Sequence, residues 1–241
     1  MTSSSPLPRT PLPTALITGA SRGIGRAIAD ELATTHHLLL GGRDRSELEA
    51  LASSYPSAEP FAVDVRQVAE ADVAGIESLD VLVHSAGVLR MGAVADLDDD
   101  AWRESFEINV FAVARLTRLL LPALRRAGGQ VIAINSGSGF TSGSSSAVYS
   151  GTKFALRALT DALREEERPH GVRVCSIHPG RVATDMQREL HEYEGKDYNP
   201  GAWIQPEQVA KTVRLAVDAS REAAVESLNI RPSGIRTAGM A

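Results

Sequence analysis

Cysteine is almost missing from this sequence. The single Cys175 excludes any internal disulfide. It lies in the apolar run 172–177, Val-Arg-Val-Cys-Ser-Ile, where a small packed side chain is expected rather than a reactive thiol. A reducing cytoplasm is the expected location. Basic excess is missing too. The net charge of −5 and the pI near 5.7 exclude a general nucleic-acid binder. Charges of both signs are interspersed, as on an ordinary solvated surface. No apolar run is long enough to span a bilayer, and the opening MTSSSPLPRTPLPT has no hydrophobic signal core. The expected partners therefore include neither nucleic acid nor membrane, and no metal site is expected.

What is present suits one buried α/β domain. The 241 residues, 43% of them hydrophobic, are ample for one such domain and short for two. Residues 1–13 read as a Ser/Pro-rich leader and 14–241 as a single domain. Strand-length apolar runs fall at 15–18, 38–40, 61–63, 81–83, 131–134 and 172–177, with a weaker one at 224–230. Near-continuous apolar runs are how parallel strands covered on both faces read. Helical spacing lies between them. Ile24, Ala27, Ile28 and Leu32 form one stripe. Phe106, Val110, Val113 and Thr117 form another in a long helix over 100–126. Phe154, Ala155, Ala158, Leu159, Ala162 and Leu163 form a third. The alternation predicts a Rossmann-type doubly wound parallel sheet with helices on both faces. The polar segment 186–205 breaks it, with Tyr193, Tyr198 and Trp203 interspersed. Residues 184–205 are the candidate substrate lid.

The first strand runs into Thr18-Gly19-Ala20-Ser21-Arg22-Gly23-Ile24-Gly25. Glycines between a strand and a helix let the backbone approach a pyrophosphate, which the free N–H groups of the helix start then bind. An ordinary Gly-rich turn is the plainer reading, but the flanking strand and helix favour a dinucleotide. The second strand ends Gly41-Gly42-Arg43-Asp44. An NAD site places a carboxylate near Gly42 for the ribose hydroxyls. Arg43, with Arg22 as a second clamp, would instead bind a 2′-phosphate.

Tyr149-Ser150-Gly151-Thr152-Lys153 puts tyrosine and lysine four residues apart on one helical face. Bringing a phenol from about 10 towards 7 takes roughly 4 kcal/mol of phenolate stabilisation, and a nearby ammonium acts in that direction. Such a tyrosine can give a proton to a carbonyl or take one from an alcohol. Four tyrosines and three lysines in 241 residues give roughly 0.05 such pairs by chance.

From about Ala15 onward, these motifs resemble the short-chain dehydrogenase/reductase family, whose first turn reads Thr-Gly-x-x-x-Gly-x-Gly. The resemblance implies an oxidoreductase that moves hydride between nicotinamide and a carbonyl or alcohol, with Tyr149 as general acid/base. NADP(H) is the implied cofactor ahead of NAD(H). Ser136, thirteen residues before Tyr149, matches the substrate-orienting serine, with Ser138 as a rival. Asn109 matches the asparagine that holds a water linked to the lysine. Lys153 and Tyr149 also contact the cofactor. Asp64-Val65 match the adenine-contacting pair.

Ser85, Ala86 and Gly87 match the next cofactor stretch, but His84-Ser85 stands where the family has Asn-Asn. Ser85 is expected to replace the missing hydrogen bonds, and His84 to be structural. Pro179, Gly180, Val182 and Thr184 match the stretch along the nicotinamide, with His178 in place of the usual Asn. The segment 88–94, Phe140 and Thr141 are expected in the pocket. A homotetramer or homodimer is implied, with the helices around Asn109 and Tyr149 pairing across a two-fold axis. The rival readings are a catalytically silent dinucleotide-binding sensor or partner protein and, among enzymes, an epimerase or dehydratase.

Overall fold

The computed structural model describes residues 12–234. The expected leader therefore lies almost wholly outside the described residues, as do 235–241. Seven parallel strands form one sheet in the order β3-β2-β1-β4-β5-β6-β7. They are β1 (Thr14–Thr18), β2 (His37–Gly42), β3 (Ala58–Ala62), β4 (Val81–His84), β5 (Gln130–Ile134), β6 (Arg173–Pro179) and β7 (Ser227–Ile230). The chain winds outward from β1 to β3, then returns to lay β4 on the other side of β1. That reversal opens a crevice at the carboxyl ends of β1 and β4.

Side-chain alternation along each strand divides the core in two. Ile17, Leu40, Val83, Ile132 and Ile177 pack with α1 (Gly23–Leu32), α2 (Arg45–Ala52) and α8 (Pro206–Val217). Leu16, Leu39, Leu82, Val131 and Val174 pack with α5 (Ala112–Ala127) and with Leu163 of α6 (Ala147–Glu167). Both faces are covered, which is why the strands read as apolar runs. Cys175 is fully buried in the first cluster, and burial pushes its thiol up to about 12.

Two helices differ from their sequence reading. The long helix over 100–126 is two α-helices, α4 (Asp99–Phe106) and α5, joined by a π-helical turn at Glu107–Phe111. The wider turn carries one extra residue, so the apolar stripe changes phase. Val113 and Thr117 are buried, whereas Phe106 and Val110 are only half-buried. In α6 the buried edge is Val148, Thr152, Leu156, Thr160 and Leu163. Phe154, Ala158 and Ala162, expected on the core side, are exposed. Phe111, at 53% exposure, and Phe154, at 39%, are large apolar side chains facing solvent. Among the described residues, no helix is long and apolar enough to cross a membrane, and no group of His, Cys, Asp or Glu is placed to hold a metal.

Candidate active site

The crevice is built on glycine. Gly19 and Gly23 have φ of +67° and +55°, where a side chain is strained. A Cβ on Gly19 would stand 3.0 Å from the backbone of Ala86, and one on Gly25 only 2.1 Å from the Gly19 carbonyl oxygen. The turn after β1 can therefore lie flat against the end of β4. Arg22 precedes α1 in an extended conformation, and no side chain caps the helix. Its first N–H groups are left for an anion. Thr184 reaches the same turn: its Cγ2 lies 3.4 Å from where a Cβ of Gly23 would be. The stretches around 19–25, 85–87 and 179–184 thus meet at one crevice, a cradle that suits a dinucleotide.

Thr18 ties this region together. Its hydroxyl donates to the Val83 carbonyl (3.3 Å) and accepts from the backbone N–H of Ser85 (3.0 Å) and Ala86 (3.1 Å). Thr18 thus holds the backbone of Ser85 and Ala86 to the end of β1. His84 is buried, with Nε2 2.8 Å from the Thr117 hydroxyl. Burial pulls its imidazole down to about 4, so it is neutral and structural, as expected. Arg43 is exposed beyond β2. Asp64 is held in a fork by Arg66 at 2.5–3.0 Å, which keeps its carboxyl below the usual range; Arg43 adds a smaller effect. Asp64, expected with Val65 to contact an adenine, is thus paired with Arg66.

The Ser136 hydroxyl, just past β5, acts on the Tyr149 phenol, while Ser138 approaches Ser136 Oγ only through its backbone N–H (3.1 Å). That arrangement favours Ser136 over Ser138. Tyr149 lies in the first turn of α6. Burial raises its phenol above the ordinary 10, and the Ser136 hydroxyl pulls the other way. The chain alone thus holds a protonated tyrosine. Lys153, one turn on, places Nζ 5.7 Å from the Tyr149 ring centre and donates to the Ile134 carbonyl at 3.1 Å. Burial lowers this ammonium to about 8.

Asn109 sits in the π-helical turn, 1% exposed. Its Oδ1 accepts from the Val88 N–H (2.9 Å), and Nδ2 donates to the Val88 carbonyl (2.9 Å) and the Thr152 hydroxyl (3.1 Å). The side chain thus clasps the loop after β4 and reaches α6 through Thr152, whose hydroxyl also donates to the Tyr149 carbonyl (2.7 Å).

The short chain dehydrogenase family model matches residues 13–195. The chain belongs to the short-chain dehydrogenase family. A short-chain type dehydrogenase/reductase of Sinorhizobium fredii, itself uncharacterised, is 37% identical over 228 residues, 91% of each chain. A solved short-chain dehydrogenase from Streptomyces avermitilis is 33% identical, with TM-score 0.80 over 92% of this chain and 89% of that one. An alcohol dehydrogenase from Thermococcus sibiricus, complexed with 5-hydroxy-NADP, is 28% identical, with TM-score 0.83 over 94% and 99%. An actinorhodin polyketide ketoreductase with NADPH is 27% identical, with TM-score 0.84 over 92% and 96%.

In this short-chain dehydrogenase the segment 184–205 is a packed unit rather than an open loop. A bridge between Val182 and Ile204 closes its neck. Helix α7 (Asp185–Tyr193) buries Gln187 and His191. The His191 ring lies 5.3 Å from Tyr198 and 5.4 Å from Trp203. Arg181 stacks 5.3 Å above Trp203 and grips Glu194 with two bonds, holding that carboxyl near 2. Arg66 and Thr152 had no signal of their own in the sequence.

Proposed function

We propose that this short-chain dehydrogenase moves hydride between NADP(H) and a carbonyl or alcohol, with Tyr149 giving or taking the proton. The observation that carries the reading is the buried Lys153 one turn from Tyr149, its Nζ 5.7 Å from the ring centre, with the Ser136 hydroxyl pulling the phenol down. The bound nicotinamide supplies or accepts the hydride. Ser136 holds the substrate oxygen beside the phenol. In reduction, the phenolic proton goes to the oxygen of the new alcohol; in oxidation, the phenolate takes it back. Lys153 supplies positive charge on the same side. The uncapped start of α1 and the glycine turn receive the pyrophosphate. Arg43 and Arg22 favour a 2′-phosphate, and the solved neighbours with NADP ligands support that choice. The exposed Phe111 and Phe154, on the helices carrying Asn109 and Tyr149, support a homo-oligomer paired through these faces.

The test is NADPH oxidation with a panel of ketones and aldehydes. Wild type is expected to turn over at least one of them. Tyr149→Phe is expected to lose about a thousandfold or more in kcat with NADPH affinity unchanged. NADPH binding without turnover of any member would favour a silent sensor. Titrating both cofactors tests the phosphate site: Arg43→Ala should weaken NADPH by about tenfold and leave NADH unchanged.

A further inference from the structure

The short loop that presents Ser136 is held from one side by a residue the chemistry above does not use. His178, near the end of β6, is 1% exposed, and its Nδ1 lies 3.2 Å from the Ser136 carbonyl oxygen. That carbonyl also accepts the Gly139 N–H at 3.0 Å, closing the 3-10 turn Gly137–Gly139. The Ser136 N–H donates to Asn135 Oδ1 at 2.9 Å, and Ser136 Oγ accepts the Ser138 N–H at 3.1 Å. The His178 ring packs against Phe140, at the far end of the turn, with ring centres 4.4 Å apart. Arg231, just past β7, donates to the His178 carbonyl at 2.5 Å. A Cβ on Gly137 would lie 3.0 Å from its guanidinium. His178 thus touches the turn at its first residue and at its end.

We propose that His178 is a positioning residue for Ser136: as the Nδ1–H tautomer it donates to the Ser136 carbonyl and fixes where the serine hydroxyl meets Tyr149. Burial lowers the imidazole, which keeps it neutral. The neutral ring carries one N–H, and only the Nδ1 tautomer satisfies the carbonyl. The amide nitrogen of an asparagine occupies nearly the same place as Nδ1, so Asn can make this bond and Leu, of similar bulk, cannot. The catalytic half of the proposal rests on the function proposed above; the structural half stands alone.

The experiment compares His178→Leu, His178→Asn and wild type by two readouts. The first is amide hydrogen exchange at Ser138, followed by NMR without cofactor. Losing one such bond should cost about fivefold to tenfold in protection in His178→Leu, with the β5 amides unchanged and Asn restoring it. The second is kcat with NADPH and any active carbonyl from the panel. His178→Leu should lose about fivefold to tenfold in kcat at unchanged NADPH affinity, His178→Asn should regain it, and adding His178→Leu to Ser136→Ala should cost nothing further. Unchanged Ser138 exchange in His178→Leu overturns the proposal whatever the activity. A loss of kcat that adds fully to that of Ser136→Ala also overturns it, because the damage then bypasses the serine. Should wild type turn over no carbonyl, the function fails, and the exchange data still decide whether His178 orders the turn.

Discussion

Lys153 is a charge in a dry place. It is 6% exposed, has one carbonyl partner, and is lowered to about 8 from an ordinary value near 10.5. Between these values the unfolded chain keeps the proton and the folded one does not. Stability therefore rises with pH across that window, and the full deficit is present below about 8. Lys153→Met should thus stabilise the protein at pH 7, by up to roughly 3 kcal/mol, and flatten the rise above pH 8. Thermal melts across that range check it; a melting temperature lowered by the substitution at pH 7 would contradict it. A residue that weakens the fold in this way is kept for chemistry. Tyr149 shows the same trade: burial alone makes it a poorer acid, so Ser136, Lys153 and the cofactor's positive ring must reverse that bias when an alcohol is oxidised.

At the scale of elements, the sequence told most about strands and least about helix faces. The runs that became β1, β2, β4, β5 and β6 are apolar throughout because both their sides are covered. No choice of face had to be made. Helix α6 has apolar residues around most of its girth, and periodicity alone does not say which stripe meets the sheet. The stripe through Phe154 and Ala158 faces solvent, and the one through Leu156 and Leu163 faces inward. The paired Tyr149 and Lys153 were legible because their spacing is local. Asn109 was legible as a buried position but not in its contacts, because the π-helical turn aims its amide at Val88, 21 residues away.

The candidate lid was misleading in another way: its polar letters, Gln187 and His191, form its inside. Its grip depends on Arg181 and Glu194. The Glu194 carboxyl is depressed to about 2, so the pair is intact above the ordinary carboxyl range and lost only as pH falls through that value. Glu194→Gln should loosen the lid without touching the glycine turn. The expected result is faster amide exchange over α7 and a KM for the carbonyl raised about fivefold to tenfold, at unchanged NADPH affinity. Unaltered exchange in α7 would remove the latch from this account.

For the whole molecule, the sheet places its crevice at the carboxyl ends of β1 and β4, and the helices beside it leave Phe111 and Phe154 bare. Covering two such rings is the plainest reason for a second copy. The double variant Phe111→Asp with Phe154→Asp is expected to run as a monomer in light scattering while keeping its circular dichroism. An unchanged mass would place the interface elsewhere.

The lone thiol of Cys175 has a use that no evolutionary pressure need explain. It lies in β6, between β5 and β7, at 0% exposure, with every other position free of sulfhydryl. A bulky thiol reagent can reach it only when the sheet itself opens. Labelling kinetics then act as a stopwatch for opening of the sheet, with one chromophore per chain and no engineered probe. Purification without reductant should be uneventful, since air and alkylators meet no accessible thiol on the folded protein.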